Sequence, residues 1–277
     1  MSSSFKYLLP ILLSLASPTL AGTQEAPSEP TEDRKKAGES RASTYFKCAD
    51  GYRLRYTLSS PDELLEGERY PLVLCLHGVG GGTQAPKALE RRDGPPCFVL
   101  VPSVPSKEFS WAGRRRNGIP YVLELIDDQL ERLPIDLDRL YVTGQSMGGA
   151  GTFGAVAARP DFFAAAVPVC GGWEPADAPR MKDVPMWVFH GDADTVVPVR
   201  HSREMVAALR AAGGEPRYTE YPGVGHNAWT PAYDSDETWR WLFEQRLSLS
   251  SASTRADEHD PEPPEDSVDH EPIAPRE

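Results

Sequence analysis

Residues 140–150 constrain the fold of this chain more than any other stretch. Strand-forming Leu140, Tyr141 and Val142 lead into Gly144, Gln145, Ser146, Met147 and Gly148, and small residues continue to Ala158 as a helix. The spacing Gly-x-Ser-x-Gly at a strand-to-helix break is that of a nucleophile elbow, a strained turn that lifts a serine hydroxyl clear of the backbone. Serine is a weak nucleophile near neutral pH, so such a hydroxyl is useful only beside a base and oxyanion donors. Glycine at 144 and 148 leaves room for the neighbouring strand and helix. In a chain with 23 glycines the same spacing also arises as an ordinary turn. The setting argues for the elbow: Asp136 to Arg139 read as the end of a polar turn, and Met147 to Ala158 as the helix that follows.

An elbow needs a sheet on either side of it. Strand-like and helix-like segments alternate from residue 42 to 247, which predicts one α/β domain with a mainly parallel central sheet and helices on both faces. Tyr45 to Ala49 and Arg53 to Leu58 flank Asp50 and Gly51, a hairpin signal. Pro71 to Leu76, Cys97 to Val101, Leu140 to Thr143, Ala165 to Cys170 and Met186 to His190 are apolar runs, as strands covered on both faces should be. Helices are expected over Ile119 to Leu133, Met147 to Ala158, Ser202 to Ala212 and Asp236 to Leu247, with a last strand over Arg217 to Tyr221. Only about fifteen residues separate the strand ending at Cys170 from the one starting at Met186, so no large lid is expected there.

In open α/β sheets reactive groups gather at the carboxyl ends of strands. Ser146, then Asp192 and Asp194, then His226 each follow a predicted strand, in the order nucleophile, acid, base. His226, in a glycine loop after the acid, is the expected general base and acid. His77 and His190 are read as structural, His201 opens a surface helix, and His259 and His270 fall in the C-terminal tail. Asp194 is the preferred partner of the histidine and Asp192 a brace of the same turn, with the reverse assignment the alternative. The backbone N–H groups of Val79 and Met147 are the expected oxyanion donors, one in the loop His77 to Gly82 and one directly after the serine. That glycine-rich loop lacks the Gly-Lys-Ser/Thr ending of a phosphate-binding loop. Trp111, Trp173 and Trp229 each follow a strand end and are candidates to wall a substrate site, with ordinary packing the alternative. Arg114, Arg115 and Arg116 read first as a solvated charge run.

His77-Gly78, Gly144 to Gly149, the run from His190 to Pro198, and Gly225-His226 resemble the phospholipase/carboxylesterase and dienelactone-hydrolase side of the α/β-hydrolase superfamily. The likeness extends to exported bacterial esterases described as predicted peptidases, polyhydroxybutyrate depolymerases and feruloyl esterases, and it covers about Thr44 to Arg246. It implies a cofactor-free and metal-free serine esterase with Ser146, Asp194 and His226 as triad and Val79 and Met147 at the oxyanion. The motifs say little of the substrate, but a site without a large lid suits short-acyl or polymer-linked carboxylic esters. Thr195 departs from the family, which often carries proline there. A serine peptidase of the same fold, or a non-catalytic carbohydrate-binding module, are the alternatives.

The ends of the chain read differently from the middle. Residues 1–21 have a thin basic start, a short apolar run broken by Pro10 and small residues to Ala21, the pattern of a cleaved export signal. The apolar run falls well short of the ~20 residues that span a bilayer, so no stable membrane span is expected in the mature chain, and its location is expected to be secreted or periplasmic. Residues 22–41 read as a disordered linker and 248–277 as a disordered acidic, proline-rich tail. From Ser251 onward nine acids against Arg255 and Arg276 account for much of the net charge of −12. With that balance and no basic stripe, no nucleic-acid partner is expected. Cys48, Cys75, Cys97 and Cys170 are not spaced as a metal site, and the sequence leaves thiols and a disulfide equally open.

Overall fold

The computed structural model describes residues 43–111 and 116–247. The expected leader over 1–21, the linker over 22–41, the tail over 248–277, and Arg114 and Arg115 lie outside the described residues. Two antiparallel strands, β1 (Thr44–Lys47) and β2 (Arg53–Ser59), open the sheet. Their turn closes through Gly51, whose N–H donates to the Cys48 carbonyl at 2.9 Å and whose φ of +85° suits glycine. Then follow β3 (Tyr70–Leu76), helix α1 (Ala85–Glu90), β4 (Phe98–Ser103), and a small parallel pair, β5 (Phe109–Ser110) with β6 (Arg116–Asn117). Helix α2 (Ile119–Arg132) leads to β7 (Ile135–Gln145), α3 (Met147–Ala158) and β8 (Ala165–Val169). A 3₁₀ turn (Pro175–Asp177) and α4 (Ala178–Met181) precede β9 (Trp187–Gly191), α5 (Arg200–Ala211), β10 (Arg217–Tyr221), α6 (Trp229–Asp234) and α7 (Asp236–Glu244).

The eight-stranded sheet runs in the order β1-β2-β4-β3-β7-β8-β9-β10, parallel from β4 onward. β3 is buried at every residue and its side chains alternate between two cores. Leu72, Leu74 and Leu76 meet Leu125 of α2 and Phe153 and Val156 of α3 on one face. Val73 and Cys75 meet Ala85 of α1 and Trp239 and Leu242 of α7 on the other. Helices thus cover both faces, as predicted, and the elbow at the end of central β7 is held between the two cores. The stretch between β8 and β9, where a lid could be inserted, holds only the 3₁₀ turn and the single turn of α4. Among the described residues no helix is long and apolar enough to cross a membrane.

Three local readings need correction. Asp136 to Arg139 belong to β7 rather than to a turn; their polar side chains stay near the surface at the start of the strand, and the pairing shifts register between Tyr70 and Leu72. The closing helix α7 stops at Glu244, short of Leu247, and a separate helix where none was expected, α6, precedes it across the extended backbone of Ser235. Trp111, a candidate wall of the substrate site, is fully buried. Its indole N–H donates to the His77 carbonyl at 2.9 Å, and its ring fills the space that a Cβ at Gly118 or Gly151 would need. It belongs to the core beneath the elbow. All four cysteines are free thiols.

Candidate active site

Ser146 sits between β7 and α3 with φ 57° and ψ −118°, a backbone region that L-residues rarely occupy. Its N–H donates to the Val169 carbonyl of β8 at 2.9 Å, and its carbonyl accepts the Ala150 N–H at 3.1 Å to start the helix. The turn is this tight because glycine flanks it: a Cβ on Gly144 would overlap the Gly148 carbonyl, and one on Gly148 would overlap the carbonyl of Leu76. β3, β7 and α3 therefore approach closely enough to force the serine outward.

Three strand ends converge on that hydroxyl. Ser146 Oγ lies 2.8 Å from Nε2 of His226, and Nδ1 of His226 lies 2.7 Å from Oδ2 of Asp194. With a carboxylate facing Nδ1, the proton of the neutral ring belongs on Nδ1, and Nε2 is left to accept the serine proton. Asp194 is buried, His226 partly exposed. Asp194 Oδ1 accepts the N–H groups of Val196 at 2.8 Å and Val197 at 2.9 Å. Burial pushes the Asp194 carboxyl up, but the His226 hydrogen bond and these two amides outweigh it and hold the group below the usual aspartate value. Asp192 stands apart: its Oδ1 accepts the Gly223 N–H at 2.6 Å, bracing the loop that presents His226.

His190, read from sequence as structural, touches this machinery. Its Nε2 lies 3.2 Å from Asp194 Oδ2 and 2.9 Å from the Val197 carbonyl, so one N–H is shared between them. Nδ1 lies 2.7 Å from Ser202 Oγ, which in turn is 2.9 Å from the Gly171 carbonyl. The spacing of four between His190 and Asp194 was visible, but nothing in the sequence said that β9 would end with both side chains turned into one buried space. Cys170 completes the group, its sulfur within 4.8 Å of ligand atoms of His190 and Asp194. Burial and the Asp194 charge push that thiol up to about 12, so it stays protonated. The cluster is a hydrogen-bonded support behind the acid.

The loop after β3, where the sequence predicts one oxyanion donor, lies against the elbow. Gly78 packs so that a Cβ there would meet the Gln145 carbonyl and the Cβ of Ser146, which puts Val79 next to the elbow. Gly80, Gly81 and Gly82 all have positive φ, and Gly80 N–H donates to Ser106 Oγ at 3.0 Å. Met147 opens α3 directly after the serine. Trp229 is partly buried, with its ring edge-on to that of His226 at 5.2 Å between centroids. Trp173 packs on Gly154 of α3 and donates to Asp177 at 2.8 Å. Arg116 is ion-paired to Asp50 at 2.6 Å and lies over Tyr52, Phe109 and Tyr121 rather than standing free.

His77 under the loop is neutral by construction: Nδ1 donates to the Gly78 carbonyl at 2.7 Å and Nε2 accepts the Val104 N–H at 3.1 Å. Burial is the first cause holding both His77 and His190 below the usual histidine value. The unfolded chain takes up protons near pH 6.5 while the folded chain resists, so their contribution is complete above that pH and stability falls on acidification. Melting temperatures between pH 7.5 and 5 are expected to decline, and His77→Asn is expected to flatten that decline; parallel curves would contradict the assignment.

The strand order, the elbow and the converging serine, histidine and aspartate define an α/β-hydrolase. A family model described as PET hydrolase-like matches residues 123–234, the stretch that holds Ser146, Asp194 and His226. A solved thermostable esterase aligns at a TM-score of 0.67 with 37% identity, over 74% of this chain and 63% of that one. Feruloyl esterase D of Neurospora crassa is 24% identical over 193 residues, 64% of this chain and 66% of its own. A secreted protein of Arthroderma benhamiae is 24% identical over 242 residues, and the chain spans about a quarter (26%) of its length. The chain thus has the fold of the α/β-hydrolases and is similar in sequence to named esterases.

Proposed function

We propose that this chain is an exported serine hydrolase that cleaves carboxylic esters through an acyl-enzyme. The observation that carries the reading is the unbroken line Ser146 Oγ, His226, Asp194, with contacts of 2.8 and 2.7 Å. Ser146 attacks the ester carbonyl while His226 Nε2 takes its proton. Asp194 stabilises the imidazolium, and the N–H groups of Val79 and Met147 receive the charge on the carbonyl oxygen. The imidazolium then protonates the departing alkoxide. Water, deprotonated by His226, attacks the acyl-enzyme and releases the acid and free Ser146. Trp229, edge-on to His226, is the tryptophan best placed to meet the substrate, and Trp173 is the second candidate. The short connection between β8 and β9 supports an uncovered site, suited to short acyl groups or to esters displayed on a polymer. The named esterases among its relatives support ester over amide bonds. The secreted relative and the apolar segment of the first 21 residues support export.

The test is direct. The purified protein is expected to hydrolyse p-nitrophenyl acetate and butyrate faster than long-chain esters, and to be labelled covalently and stoichiometrically by a fluorophosphonate. A protein that neither turns over these esters nor takes the label is not a serine esterase.

A further inference from the structure

Beside the oxyanion loop lies a groove of about 850 Å³ that the triad does not use. Val79, Gly80 and Gly81 form one wall, so the groove begins at the oxyanion loop. The other walls carry Tyr45, Tyr52, Arg53, Arg55 and Lys107. The chain has a net charge of −12, yet three cations meet here against the single carboxylate of Glu108. Arg55 donates to Ser103 Oγ at 3.1 Å and Arg53 lies over the Tyr45 ring at 4.7 Å. Among the described residues neither arginine nor Lys107 forms an ion pair, whereas Arg91, Arg92, Arg116, Arg159 and Arg203 all do. The Arg55 charge reaches the loop itself, since after burial it helps hold His77 below the usual histidine value. The volume matches that of small-molecule sites, and a guanidinium held against an aromatic ring is preorganised to receive a carboxylate.

We infer that this groove is a subsite for an anionic group, and that the substrates of the site are esters whose non-reacting part carries a carboxylate. The inference rests on the esterase reading and narrows its substrate class. Cations lining a cleft attract such a substrate from solution and position it, and Tyr45 and Tyr52 offer flat apolar contact to the body that links carboxylate and ester.

Matched ester pairs test it. 4-Acetoxybenzoate against its methyl ester puts the carboxylate on the alcohol side, and monomethyl against dimethyl succinate puts it on the acyl side. At low ionic strength at least one pair is expected to show a preference for the anion of about tenfold in kcat/KM, shrinking severalfold in 0.5 M NaCl. The double variant Arg53→Gln/Arg55→Gln is expected to bring that ratio near one, and Lys107→Gln to lower it. Both side chains of the double variant are on the surface, and its melting temperature reports that it is folded. Ratios near one in the unmodified protein, or a preference that survives the double variant, overturn the subsite while leaving the esterase reading intact. If no ester is cleaved, the esterase reading fails. The subsite is then decided by calorimetric titration with 4-hydroxybenzoate, where equal affinity for the unmodified protein and the double variant overturns it.

Discussion

Replacing Ser146 by alanine is expected to lower kcat/KM for p-nitrophenyl acetate by at least about 10³-fold and up to about 10⁶-fold, and to abolish fluorophosphonate labelling. Without Oγ there is no acyl-enzyme, and what remains is whatever water attack the oxyanion donors still assist. Stability should barely move. The backbone at 146 keeps φ 57° because β7, α3 and the Val169 carbonyl hold it there, and alanine has the same Cβ as serine. Ser146→Gly removes that Cβ as well, so it should lose the same activity while melting no lower than Ser146→Ala; strain of this kind costs about 1–3 kcal/mol. Equal turnover by the unmodified protein and Ser146→Ala would overturn the role of the serine.

How far the sequence reveals such a site depends on how local its causes are. β3, β8 and β9 could be read because a strand covered on both faces must be apolar throughout. The elbow could be read because its glycines are demanded by contacts within a few residues, as Gly144 against Gly148 shows. Helix α1 escaped notice: it is six residues long, carries Pro86 in its first turn and follows a run of glycines. Helix α6 was hidden in the same way by Pro231. Trp111 misled because position after a strand end says nothing about rotation. The indole turned inward to the His77 carbonyl, filling a hollow left by Gly118 and Gly151. The meeting of His190, Cys170 and Asp194 was not legible either. It depends on the parallel register of β8 beside β9, through Val169 opposite Phe189, which no local pattern encodes.

Asp194→Asn is expected to cost on the order of 10⁴-fold in kcat with little change in fold. The size of the effect follows from the hydrogen bonds. Asp194 Oδ1 faces the Val196 and Val197 amides, and an asparagine must keep its carbonyl there, since turning the amide round would set N–H groups against N–H groups. Its NH₂ then occupies the place of Oδ2, where it meets His226 Nδ1. Nδ1 becomes the acceptor and Nε2 carries the proton. In that tautomer the ring donates to Ser146 Oγ and cannot take its proton, so the nucleophile is never generated. His190 Nε2–H, 3.2 Å from the same oxygen, must then rely on the Val197 carbonyl alone. Asp192→Asn is the control: asparagine still offers a carbonyl oxygen to the Gly223 N–H, so activity should fall by less than about tenfold. A pH–rate profile separates the two further, because only the Asp194 change alters the histidine that takes the proton. If Asp192→Asn proved the more damaging of the pair, the acid of the triad would be Asp192, and the two oxygens of Asp194 would be serving the β9 turn alone.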